Sequence, residues 1–181
     1  LPIYDKPLIY YPISILMLAG IREILIIVNK GSVGQFKKLL LNGENFGISI
    51  TYAEQKKPAG LPDAFKIGKN FIGKDNVALI LGDNFLYAQS LSEKLSSITK
   101  LKKGATILAH PVKNPNRFGV VTLKGKKILN LVEKPKKTKS NLAITGLYFF
   151  DNTVILKTLK LKKSKRKEFE IIDLLKMYLK K

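Results

Sequence analysis

Apolar positions along the first hundred residues alternate between two periods. Ile13, Leu16, Met17 and Gly20 recur at helical spacing, which predicts a buried helix ending at Gly20. Residues 23–28 then form an apolar, β-branched run that reads as a strand. A second helix is expected over 33–41, with Phe36, Leu39 and Leu40 on one side. Residues 48–53 alternate as a strand, 61–70 read as a short helix, 77–81 as a buried central strand and 91–101 as a helix. This β-α-β-α-β order predicts a mostly parallel sheet with right-handed crossovers. After Gly104 the pattern changes to closely spaced strands over 105–110, 119–123, 127–132 and 141–150. Lys124-Gly125-Lys126 is expected to make a tight turn between two of them. Helices over 153–159 and 169–179 follow. With no internal repeat and no low-complexity linker, residues 1–181 are expected to form one α/β domain. Its mixed, mostly parallel, Rossmann-like sheet would be flanked by helices.

Composition removes several function classes. The chain has no cysteine, so disulfides and thiolate metal sites are excluded. Its one histidine, His110, excludes a multi-histidine centre and reads as a structural or solvated residue near a strand end. The apolar stretch 8–21 is too short to span a bilayer and carries Pro12 and Gly20. No basic region precedes it, so a cytoplasmic protein without a membrane partner is expected. The net charge of +20 invites a nucleic-acid reading. Only three of the 33 basic residues are arginine, however (Arg22, Arg117, Arg166), and the lysines are scattered without interleaved aromatics. Planar recognition of bases and phosphates favours arginine, so a lysine-rich solvated surface is the expectation and nucleic acid is not. The lysine run over 160–167 reads the same way, apart from Arg166.

Candidate chemistry sits where strands end. The apolar run 76–81 stops at Gly82-Asp83-Asn84. Ligands of open α/β sheets bind beyond the carboxyl ends of strands, and a carboxylate there suits Mg²⁺ carrying a nucleotide phosphate. A plain turn or helix cap is the alternative for Asp83. Gln55, followed by Pro58-Ala59-Gly60-Leu61, offers a side-chain amide that matches the imide edge of a pyrimidine, or else a solvated loop. Gly60 would let backbone approach the base. Gly119, after Arg117-Phe118, would admit a sugar or serve a turn. Glu133-Lys134-Pro135 ends a strand with a bend, so that carboxylate and ammonium could reach one pocket. Gly146, inside the apolar strand 141–150, marks close approach by a ligand or backbone, or a bulge.

Together these segments resemble the sugar-1-phosphate nucleotidylyltransferases, and within them the glucose-1-phosphate thymidylyltransferases. The resemblance rests on Leu1-Pro-Ile-Tyr-Asp-Lys-Pro7, Tyr10-Tyr-Pro12, Leu16-Met-Leu-Ala-Gly-Ile-Arg22, Gln55 with Gly60-Leu61, and Leu81-Gly-Asp-Asn84. It continues through Arg117-Phe-Gly-Val-Val121, Glu133-Lys-Pro135, Ile144-Thr-Gly-Leu-Tyr-Phe149 and Glu170-Ile-Ile-Asp173. It implies the nucleotide-diphospho-sugar transferase fold, dTTP and glucose 1-phosphate as substrates, Mg²⁺ as cofactor, and a homo-oligomer when full-length. It also implies roles. Gln55 and Gly60 would hold the base, Leu81 and Gly82 would shape the nucleoside pocket, and Asp83 would bind the metal. Gly119, Glu133, Ile144 and Tyr148 would line the sugar site, and Lys134 and Arg166 would meet the sugar phosphate.

The sequence departs from the family in three ways. The family's opening strand and Gly-Gly-x-Gly-Thr-Arg-Leu phosphate loop, with the lysine after it, do not occur in these 181 residues. Neither does its later Trp-x-Asp segment, as the chain has no tryptophan. Phe118 stands where many members carry tyrosine. The resemblance therefore implies truncation at both ends, an unpaired edge or void in the sheet, and little or no turnover by the 181-residue polypeptide. A related uridylyl- or cytidylyltransferase and a non-catalytic sugar-phosphate-binding remnant are the alternatives.

Overall fold

A computed structural model describes residues 2–100 and 102–179. The first half runs β1 (Pro2–Ile3), β2 (Lys6–Pro7), α1 (Tyr10–Leu18), β3 (Glu23–Asn29), α2 (Val33–Leu40), β4 (Ser49–Gln55), α3 (Asp63–Ile67), α4 (Lys69–Ile72), β5 (Val77–Ile80) and α5 (Leu91–Thr99). The second runs β6 (Ala105–Pro111), β7 (Gly119–Lys124), β8 (Lys127–Glu133), β9 (Leu142–Phe150), α6 (Val154–Leu159) and α7 (Ile171–Leu179). The alternation expected from periodicity is present, with ends shifted by a residue or two. The helix expected over 61–70 is split at Gly68 into α3 and α4. The short β1–β2 pair and single 3-10 turns at Glu44–Phe46 and Pro115–Arg117 carry no periodic signal and were not expected. Leu1 of the opening motif and Leu101, the expected end of α5, lie outside the described residues.

The sheets are mixed, as expected, but the parallel share is smaller. β3 and β4 pair in parallel, from Glu23 opposite Ser49 to Asn29 opposite Gln55. The five-stranded sheet is antiparallel and built on β9. Tyr148 of β9 pairs with both Leu79 of β5 and Ile107 of β6, so those strands flank it on opposite edges. β7 meets β9 at Val120 opposite Ala143 and forms a hairpin with β8. Gly125, at φ +60°, turns that hairpin between Lys124 and Lys127 as the tight-turn reading requires.

β5 is the main correction. It is half-buried, not a buried central strand, and among the described residues it pairs only with β9. β3 likewise pairs only with β4. Between the two lies a slot of about 410 Å³ walled by Ile24, Ile26, Ala78 and Ile80. Two strand edges face this apolar gap. Such edges are templates for further strand pairing.

Three apolar clusters hold the layers together. One lies between β9, α6 and α7 and includes Phe150, Val154, Ile172 and Leu174. A second joins Ile13 and Leu16 of α1 to Ile24, Ile26, Leu40, Ile48 and Ile50. A third joins Ile15 and Ala19 to Leu95, Leu147 and Phe149. Helix α1 thus buries two faces, which explains why residues 8–21 are apolar nearly all round. Among the described residues no helix is long and apolar enough to cross a membrane. Leu39, expected beside Phe36 and Leu40, is exposed instead, because α2 packs mainly through Leu40. His110 is exposed near the end of β6, as expected.

Asp151 ties the ends of several elements together. Its carboxylate accepts the Gly104 N–H at 2.5 Å, the Thr153 N–H at 3.0 Å, the Tyr178 hydroxyl at 3.2 Å and the Thr153 hydroxyl. Burial disfavours its charge, but these donors outweigh burial and hold its pKa below the ordinary carboxylate value.

Candidate active site

A cavity of about 520 Å³ opens beyond the carboxyl ends of β4, β5 and β8. Gln55, Gly60, Leu81, Gly82, Glu133, Lys134 and Arg166 all line it. Seven residues from five separate segments therefore line one cavity, although nothing in their spacing forces them together.

Gln55 closes β4 and its amide nitrogen donates to the Asp63 carboxylate at 3.0 Å. This bond fixes which end of the amide faces the carboxylate. Among the described residues, no further side-chain hydrogen bond occupies its carbonyl oxygen or second N–H. Gly60 behaves differently from expectation. Its φ is +98°, and a Cβ there would lie 2.8 Å from the Phe169 nitrogen and closer still to the Phe169 carbonyl oxygen. The approach that requires glycine is made by the chain's own backbone. Phe169 N–H also donates to Ala59 O at 2.8 Å, so the 58–61 loop is stapled to the 166–170 loop.

Leu81 extends the pairing with β9 through its N–H to Gly146 O at 2.9 Å. The turn after it is set by Asn84, whose side-chain oxygen accepts the Gly146 N–H at 3.0 Å. Asn84 Nδ2 donates to Asp83 Oδ1 at 3.2 Å. A Cβ on Gly146 would come 2.7 Å from the Asn84 amide carbon, so this glycine admits a side chain; the β6–β9 register also slips here, from Ile107 opposite Tyr148 to Ala109 opposite Ile144, so the bulge alternative holds as well. Asp83 itself is exposed and adjoins the cavity through Gly82; it is not among the residues lining it.

β8 leaves the sheet at Glu133, which lies opposite Gly119 in the hairpin register. Lys134 adopts φ +41°, a costly conformation for a side-chain-bearing residue, and its N–H donates to Phe118 O at 3.0 Å. The bend expected at Pro135 therefore starts one residue earlier. Gly119 sits over α7, where a Cβ would be 2.7 Å from Ile172 Cδ1 and 3.5 Å from the Glu133 carboxylate. Ile144 and Tyr148 are buried in the core on β9 and do not line the cavity. Burial, and then the Glu133 charge, push the Tyr148 phenol up to about 12. Burial also raises Glu133, and Glu170 nearby adds to the rise against Arg166 and Lys134. Glu170 ends low: its hydrogen bonds from Arg166 and Ser164 outweigh its own burial.

Asp63, Asn84 and Glu170 were given no role from sequence. Glu170 entered only as the start of the resembling Glu170-Ile-Ile-Asp173 segment, and its local signal was an opposite charge at i,i+4 from Arg166. Asp63 and Asn84 act across loops, where no period exists to be read. Among the described residues no group of three or more acidic or histidine side chains could hold a metal ion. Asp83 is thus a single carboxylate on an exposed turn. That donor set fits Mg²⁺, which is commonly held by one or two carboxylates plus substrate phosphates.

The chain belongs to the nucleotidyl transferase family, whose profile matches residues 1–181. The glucose-1-phosphate thymidylyltransferase of Neisseria meningitidis serogroup A is 52% identical over 180 residues, 99% of this chain and 62% of that protein. The enzyme of that name from Mycolicibacterium smegmatis is 48% identical with the same coverage. The chain therefore spans about 62% of the length of these curated relatives. A Bacillus anthracis crystal structure assigned as a glucose-1-phosphate thymidylyltransferase, in complex with sucrose, superposes with a TM-score of 0.90 at 37% identity. It covers 99% of this chain and 73% of that one. A UDP-glucose pyrophosphorylase bound to UDP-glucose gives a TM-score of 0.84 at 25% identity, covering 100% of this chain and 78% of that one.

Proposed function

We propose that these residues form the base-binding and sugar-phosphate-binding walls of a glucose-1-phosphate thymidylyltransferase site, joining dTTP and glucose 1-phosphate into dTDP-glucose and pyrophosphate. The observation that carries this is the single cavity lined by an amide together with a carboxylate, an ammonium and a guanidinium. Gln55, steadied by Asp63, presents an acceptor and a donor, the complement of a thymine imide edge. Gly82 leaves room for the nucleoside beside Leu81. Glu133 accepts from sugar hydroxyls, and its partial burial makes those bonds count. Lys134 and Arg166 neutralise the sugar phosphate so that its oxygen can approach the α-phosphorus in line. Mg²⁺ at Asp83 would offset phosphate charge during that approach. The names of the relatives favour thymidylyl over uridylyl transfer. A cytoplasmic protein free of nucleic acid and membrane partners belongs to the same reading.

The test is calorimetric titration of the purified protein with dTDP-glucose, UDP-glucose, CDP-glucose and ADP-glucose in Mg²⁺. dTDP-glucose should bind most tightly, and Gln55→Ala and Glu133→Ala should each weaken it about tenfold or more. Equal affinity for all four, or none for any, would reject the assignment.

A further inference from the structure

Arg166 lies on a lysine-rich loop, yet its head group is not left to find its own direction. Glu170, one residue before α7, takes the guanidinium in a fork: Nε donates to Oε1 at 3.1 Å and Nη2 to Oε2 at 2.6 Å. Glu170 is seated in turn by Ser164, whose hydroxyl donates to Oε1 at 2.6 Å. The same hydroxyl accepts the Arg166 backbone N–H at 3.1 Å, and Ser164 N–H donates to Glu168 O at 2.8 Å. The Glu170 side chain is only 10% exposed and that of Arg166 is 45% exposed. The carboxylate is therefore fixed and the cation projects from it into the cavity. On the far side, Nη2 reaches Glu133 at a longer 3.4 Å. The Nη1 edge meets no hydrogen-bond partner among the described residues.

We infer that Glu170, locked by Ser164, is a positioning residue that aims the Arg166 guanidinium at the phosphate of the sugar substrate; the inference rests on the function proposed above. An arginine on a loop loses much rotamer freedom when it binds an anion, and a fork that holds it beforehand removes that cost from binding. The short bonds to Glu170 persist, the long one to Glu133 is given up, and the Nη1 edge takes the phosphate oxygens.

Charge alone makes the opposite prediction, which gives the test its sign. Removing a carboxylate near an anion site should strengthen anion binding if Glu170 acts only through its field. If Glu170 aims Arg166, Glu170→Ala should weaken glucose 1-phosphate binding about tenfold, and Ser164→Ala should weaken it about threefold in the same direction. Glu170→Gln, which keeps one acceptor for Nε, should recover part of the loss. dTTP affinity, which the proposed function assigns to Gln55 and not to Arg166, should move by less than about twofold. In an Arg166→Ala background, Glu170→Ala should cost nothing further, because the group it positions is gone. Calorimetric titrations supply every value, with circular dichroism confirming that each variant is folded. Unchanged or tighter glucose 1-phosphate binding by Glu170→Ala would overturn the inference, as would losses that add fully in the double variant. A parent protein that binds neither substrate would overturn both readings, whereas additive losses in a parent that binds would remove only the positioning role.

Discussion

Gly60→Ala is the sharpest perturbation available at the junction of the two substrate loops. The new methyl would meet backbone, 2.8 Å from the Phe169 nitrogen and 2.9 Å from its carbonyl carbon, and not the free end of a side chain. Alanine must also adopt φ +98°. A positive φ costs a side-chain-bearing residue about 1–3 kcal/mol. Parting the loops breaks the Phe169 N–H to Ala59 O bond, worth about 0.5–1.5 kcal/mol. Some of the collision is relieved by that parting, so the two terms do not add in full, and the net loss should be about 2–3 kcal/mol. Urea unfolding followed by far-UV circular dichroism measures it. Gly34→Ala is the control, since Gly34 lies within α2 and a Cβ there meets nothing within 4 Å; it should be neutral or stabilising by up to about 1 kcal/mol. Glycine at 60 also holds Phe169 close to Arg166 and Glu170, so dTDP-glucose affinity should fall together with stability. A Gly60→Ala protein with the parental urea midpoint would refute the packing argument. One that is destabilised but binds dTDP-glucose normally would refute the coupling of the loops.

Further outcomes follow from other parts of the structure. Phe150→Ala removes a fully buried ring packed edge-on against Phe65 at 5.2 Å, and should cost about 3–5 kcal/mol in urea unfolding; a loss below 1 kcal/mol would mean that the core around β9 is misassigned. Lys134→Gly relieves the positive φ and should raise stability by about 1 kcal/mol while weakening glucose 1-phosphate binding; if both fall, the backbone at 134 is not strained. Asp151 has a depressed pKa in the folded protein, so the stability it contributes is complete above its unfolded value of about 3.9 and is lost as pH falls through the lower folded value. Asp151→Asn should accordingly be less stable at neutral pH and should lose less stability on acidification than the parent, and parallel acid-unfolding curves would contradict this. The two strand edges facing the slot between β3 and β5 should make the 181-residue polypeptide self-associate as its concentration rises, and a single monomeric species in sedimentation velocity at high micromolar concentration would count against it.

Element identity was written locally. The 3.6 and 2.0 periods marked nearly every helix and strand, and glycine placed the helix stop near Gly20 and the hairpin turn at Gly125. The cavity was legible in part for the same reason: polar residues that interrupt apolar strands, Gln55, Glu133 and Lys134, stand at strand ends and line it, whereas Asp83 stands just outside. Pairing was not legible. Which strand β5 pairs with depends on which edges meet in space, and a strand carries the same residues whichever partner it takes.

The reasons for three glycines were also tertiary. Gly60, Gly119 and Gly146 stood out in the sequence, but Phe169, Ile172 and Asn84 are what their missing side chains make room for. Asp63, Asn84 and Glu170 orient the residues that sequence could name, each through a directional hydrogen bond. Period and composition report which side of an element is buried, because burial repeats with the geometry of the backbone. They carry no record of a bond between loops, whose existence depends on distances set only when the whole chain has packed.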